Sequence, residues 1–207
     1  MKKYMDKLKS KIHVNKNLFV FLLVIVIVGL VSGSIFSMII DSNDKKLVFD
    51  YLSDFFNNIK DNKLSYDNTV INTFIFTIGL AILIWILGIS VIGFFLIIFI
   101  LFLKSFVVGF AVSSIIMNFK LKGVLLSLIY IFPHQVINVL VFMLISAYGL
   151  IVSFKLIKCM GGKLKLDFKN IMNRYLIVLI FSLVILMFSS FYEVYILPRV
   201  LSFVLKL

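Results

Sequence analysis

TVINTFIFTIGLAILIWILGISVIGFFLIIFILFL, residues 69–103, is a run of 35 residues without Asp, Glu, Lys or Arg. A helix rising about 1.5 Å per residue needs roughly 20 apolar residues to cross about 30 Å of hydrocarbon. The run is therefore too long for one tilted span. Gly88-Ile89-Ser90-Val91-Ile92-Gly93 supplies a break, because glycine is costly inside a helix and tolerates turn geometry. Division there gives spans over 69–87 and 91–118, the second carrying Lys104. Three more uncharged runs, 18–40, 123–154 and 175–192, add spans over 18–40, 123–154 and 174–197. The expected fold class is all-α, an integral membrane helical bundle of about five transmembrane helices in a single domain.

Composition agrees with a membrane protein. The chain of 207 residues is 62% hydrophobic and 14% charged, with a mean hydropathy of +1.16, outside the range of soluble domains. Its net charge of +12 does not imply nucleic acid, since the cations gather on no module that could read bases. Cys159 is the single cysteine, and no Cys/His cluster offers the three or four ligands of a zinc site. No disulfide, metal or cofactor is expected.

The basic residues orient the bundle. Residues 1–17 carry six Lys and one Asp, whereas 41–67 carry six Asp against four Lys, which puts the N-terminus in the cytoplasm and the first loop, 41–68, outside. Five spans return the basic loop 155–173 to the cytoplasm and leave the tail 198–207 outside. Lys120 and Lys122 then fall outside, against the rule. A four-span variant with 91–118 as a hairpin moves them in but exposes the basic loop. The apolar run 18–40 exceeds the roughly 7 to 15 residues of a signal-peptide core, so it reads as an uncleaved signal anchor, with Ser32, Gly33 and Ser34 the residues that keep cleavage open.

Within the first outer loop, 42–63 has the spacing of an amphipathic helix. Leu47, Val48, Tyr51, Leu52, Phe55, Phe56 and Ile59 recur every three or four residues between Asp50, Asp54 and Asp61, with Ser42, Asn43 or Asp44 as the cap. It either lies in the membrane interface or docks an extracytoplasmic partner through Leu47, Tyr51, Phe55, Phe56 and Ile59. Its carboxylates are poor candidates for a hydrolase pair, because nothing beside them buries one acid and solvates the other. Glu193, the only glutamate, shares that problem at the outer end of the last span.

Polar residues inside the spans are few. Lys104 in hydrocarbon costs about 2.5 to 3.5 kcal/mol on insertion scales; it either snorkels or pairs with backbone near the glycine break, or it lines a pathway. Pro133-His134-Gln135, followed by Asn138, places polar groups beside a helix-kinking proline, either as interhelical hydrogen bonds or as a site. A lone histidine is a thin basis for catalysis. Gly29, Gly33 and Ser37 in the first span, and Ser105, Gly109 and Ser113 in the third, recur every fourth residue. Each stripe is a flat face where another helix backbone can approach, within one chain or in a homo-oligomer.

Trp85-Ile86-Leu87-Gly88-Ile89-Ser90-Val91-Ile92-Gly93, followed by Phe102-Leu103-Lys104-Ser105-Phe106-Val107-Val108-Gly109-Phe110, resembles the central signature of the stage II sporulation protein M family. Pro133-His134-Gln135 resembles that family's motif in the following span, and Asn138 stands near the position where more distant members place a glutamate. The resemblance is specific over about 72–150. It implies a small multi-pass protein of the cell membrane, at the septal or engulfing membrane in sporulating cells. It also implies a non-enzymatic scaffold in a complex with two wall-degrading proteins, the stage II sporulation proteins D and P. The competing class is a transporter or channel with Lys104, His134, Gln135 and Asn138 along its path; transporters usually show repeated halves, and no convincing repeat is present. An intramembrane hydrolase would need paired acids or metal ligands within the spans.

Overall fold

A computed structural model describes residues 16–61, 66–160 and 168–206. Every element in them is helical: α1 (Lys16–Ile39), α2 (Ser42–Lys60), α3 (Tyr66–Gly88), α4 (Gly93–Tyr130), α5 (Phe132–Met160), α6 (Phe168–Phe191), a π-helical turn (Tyr192–Ile196) and α7 (Leu197–Lys206). Four stretches are long and apolar enough to cross a membrane, Lys16–Ile39, Gly93–Tyr130, Phe132–Cys159 and Phe168–Leu205, and Asn72–Gly88 is a shorter apolar helix. The protein is thus a helical, multi-pass membrane protein. Most of the basic segment 1–17, and residues 161–167 of the basic loop, lie outside the described residues.

The two small-residue stripes face each other. A methyl group added to Gly33 would strike the Phe106 carbonyl oxygen, and one on Gly109 would strike that of Leu30; at Gly29 it would lie 2.8 Å from Phe102 O. Only glycine lets α1 and α4 touch backbone to backbone here. Serines stitch the same seam, with Ser37 Oγ 2.7 Å from Ser113 Oγ and Ser34 Oγ donating to Gly109 O at 3.2 Å. Phe36 closes its lipid side against Phe106 and Phe110.

Two reversals build the rest. At 89–92 the chain turns through Ile89 N–H to Ile86 O and Ser90 N–H to Leu87 O, and α5 and α6 hold the turn: Ser153 Oγ donates to Ser90 O at 2.9 Å and Tyr175 OH to Trp85 O at 2.9 Å. The second reversal lies inside α4. Lys120 adopts φ 51°, ψ −127°, and beyond it Gly123 packs on the backbone of Ile115 and Ile116, so 121–130 folds back along the helix it has just left. These dihedrals match the first central residue of a type II′ turn, normally glycine. The sequence signal for a boundary here was charge, Lys120 and Lys122, rather than a turn residue.

α2 lies over this second hairpin. Asp41, rather than the three residues that follow it, is its cap, accepting from Ser42 N–H at 2.8 Å. Phe56 and Ile59 are buried in a cluster with Ile115, Leu126, Ile131 and Leu201 of α7, and Phe55 packs on Tyr130 with ring centroids 5.4 Å apart. Three of the five residues expected to dock a partner are thus turned inward, because the hairpin and α7 offer them an apolar floor. Leu47 and Tyr51 remain 67% and 75% exposed. The segment read as an outer tail, 198–207, falls largely in the helix α7, which completes this layer.

The seam predicts opposite signs for one chemical change. Gly33→Ala and Gly109→Ala should each destabilise the detergent-solubilised protein by about 1 to 3 kcal/mol through overpacking against backbone. Gly79→Ala, with nothing within 4 Å of the added methyl, should be neutral or gain up to about 1 kcal/mol of helix propensity; thermal unfolding of the three variants compares them. Lys120→Gly should raise the unfolding midpoint, relieving about 1 kcal/mol or more of strain, and an unchanged or lower midpoint would refute a strained turn.

Candidate polar cavity in the bundle

The polar residues scattered along the sequence converge. A cavity of about 560 Å³ is lined by Asn72, Thr73 and Thr77 of α3, Lys104 of α4, Gln135 and Asn138 of α5, and Glu193 of the π-helical turn. Lys104 stands eleven residues from the start of α4, about 16 Å along its axis, close to the middle of a 30 Å hydrocarbon layer. Ionisable groups at that depth mark functional sites by default.

Each side chain is aimed by local structure. On α4, Ile97, Leu101, Lys104 and Val108 share one face, and Ile97 and Leu101 are fully buried beside the α1 seam, so Lys104 points into the bundle. Its Nζ lies 5.8 Å from the centroid of the Phe142 ring, within cation–π range. Pro133 sits in the first turn of α5, where a missing N–H leaves no helical bond broken. Gln135 N–H closes that turn onto Ile131 O at 3.0 Å. His134 is 2% exposed and Asn138 1%. The π-helical turn inserts one residue into the last long helix, widening it locally and carrying Glu193 to the cavity.

Glu193 is the residue that sequence reasoning set aside. It was expected at the end of a span with no neighbours; its Oε1 lies 3.6 Å from His134 Nε2, an electrostatic contact longer than a good hydrogen bond. Ser189 Oγ donates to His134 O at 3.3 Å, and the Tyr130 ring stands 5.9 Å from the imidazole. No spacing rule links 134 to 193, and a π-helical turn carries no sequence signature. Gly29, Gly33, Ser37, Ser105, Gly109 and Ser113 form the α1–α4 seam instead, and Gly88, Ser90 and Gly93 form the first reversal.

Two buried polar atoms of the cavity have no protein partner, Asn138 Oδ1 and Gln135 Oε1. Below the cavity the polar lining stops. Ala81, Ile84, Leu101, Phe142, Ile145 and Leu150 close the bundle as an apolar core. The arrangement is a pocket with an apolar floor rather than a polar path through the bundle. Among the described residues no three His, Cys, Asp or Glu side chains gather as a metal site would need.

Residues 18–198 match the family model described as SpoIIM, Stage II sporulation protein M. No curated protein and no solved structure matches the chain.

Proposed function

The chain belongs to the stage II sporulation protein M family, and from that membership we propose that it is a non-enzymatic membrane scaffold. In this reading it holds peptidoglycan hydrolases, the stage II sporulation proteins D and P, at the septal membrane while engulfment remodels the wall. The observation that carries the reading is the build of α2. α2 is fixed from below by Phe56 and Ile59 and presents Leu47 and Tyr51 outward. These two lie one turn apart on one face, flanked by exposed Asp50 and Asp54. A rigid helix with an apolar centre and an acidic rim suits a protein partner with a basic rim. With the N-terminus cytoplasmic, this face lies on the wall side of the membrane.

The second reading is a transporter or channel, and the charged cavity is the observation in its favour. The apolar floor under the cavity speaks against an open conduit.

Affinity purification of the tagged full-length protein from detergent-solubilised membranes of sporulating cells, followed by mass spectrometry, tests the scaffold. Both hydrolases should co-purify with the wild type, and Leu47→Asp with Tyr51→Asp should cut their recovery by about ten-fold or more, the loss of a hot spot worth at least 1.4 kcal/mol. Membrane insertion should be unchanged. Failure to recover either hydrolase, or equal recovery with the double variant, would overturn the reading.

A further inference from the structure

Lys104 and Glu193 line one cavity and feel each other's charge, yet no ion-pair contact joins them: among the described residues the carboxylate has its ion-pair contact with His134, while the ammonium leans on the Phe142 ring. A positive and a negative group therefore both face the same space of about 560 Å³, a volume typical of small-molecule sites. Two amides line the same space. Asn138 is 1% exposed, lines the cavity and leaves Oδ1 without a partner, as Gln135 leaves Oε1. Buried amides in this state are costly unless something completes them.

Charge narrows the class of occupant. An anion alone would answer Lys104 and leave Glu193 facing it at short range in a medium of low dielectric, and an amine alone would do the reverse. A molecule with both charges separated by a few ångströms answers both walls. It also brings no net charge into the membrane, where each uncompensated charge is expensive.

We propose that this cavity binds a small zwitterion, its anionic group on Lys104 and its primary ammonium on Glu193, with Asn138 Oδ1 and Gln135 Oε1 accepting further N–H bonds. Thr73 and Thr77 offer hydroxyls on the α3 wall. His134 is a positioning residue that holds the Glu193 carboxylate from behind. Ile75 and Phe76, which also line the cavity, are 66% and 65% exposed, so the cavity borders the lipid-facing side of α3. The same chemistry occurs in an aminoalkyl phosphate headgroup entering from the bilayer and in a free amino acid entering from water.

Isothermal titration calorimetry on the full-length protein in a nonionic detergent separates these sources. The probes are dihexanoyl phosphatidylethanolamine below its micellar concentration, O-phosphoethanolamine and glycine, with methyl phosphate and ethylamine as single-charge controls. At least one zwitterion should bind about ten-fold or more tightly than either control, and Lys104→Met and Glu193→Gln should each weaken it by about ten-fold. Binding confined to the phospholipid identifies a headgroup; binding of phosphoethanolamine or glycine identifies a water-borne ligand. Both results support the site. Lys104→Arg and Glu193→Asp keep the charges and should keep the preference, which carries the test if the neutral variants fail to fold. The proposal is overturned if no zwitterion outbinds the controls, or if folded Lys104→Met and Glu193→Gln bind like the wild type. Neither result bears on recovery of the hydrolases, so this site and the scaffold stand or fall separately.

Discussion

The backbone-to-backbone contact of α1 with α4 is the constraint on which the rest of the structure depends. In lipid, apolar side chains gain little by leaving hydrocarbon for a helix interface, so helices associate where close approach adds dispersion and serine hydrogen bonds. Gly29, Gly33 and Gly109 permit that approach, and the Ser37–Ser113 contact fixes its register. Once the Ser105–Gly109–Ser113 face of α4 is committed to α1, the neighbouring face with Ile97, Leu101 and Lys104 has to meet α5. The seam therefore turns a lysine that could have snorkelled toward an interface into the wall of the polar cavity.

Much of this was legible before any coordinates. Uncharged runs mark helices because hydrocarbon penalises each charge by kilocalories, and small residues every fourth position mark a helix face because the period of an α-helix is close to four. Both signals are local. The boundary at Lys120 was legible through its charge, but its turn geometry was not, because the backbone calls for glycine and the sequence supplies lysine, with Gly123 doing the steric work three residues later. The inward side of α2 was hidden for another reason: amphipathicity shows that one face is apolar without saying what covers it. The Glu193–His134 contact joins residues 59 apart in sequence, and nothing in either neighbourhood announces the other.

The two functional regions are physically continuous. Beneath the exposed face of α2, the Phe55 ring packs on Tyr130, and Tyr130 packs on His134, which touches Glu193 in the cavity wall. A chain of packed rings is a route for coupling only if some element along it has two arrangements that the two ends bias differently. Most of the bundle is poorly suited to that role, since its glycine seam and buried reversals admit one packing.

The last long helix is the exception, because its phase is set by a single inserted residue. Along α6, the π-helical turn and α7, the buried positions run from Ser182 and Leu186 through Ser190 and Val194 to Leu197 and Leu201. Nineteen residues thus span five turns, where an ideal α-helix would use about 18. The extra residue is the π-helical turn itself. It performs two tasks at once: it brings Glu193 to the cavity, and it rotates α7 by roughly 100° so that Leu197 and Leu201 face inward, Leu201 in the cluster beneath α2. Rewinding the turn into regular α-helix would withdraw the carboxylate and expose those leucines together. The site and the platform above it are therefore aligned by the same local departure from helical geometry, and neither can lose that alignment alone.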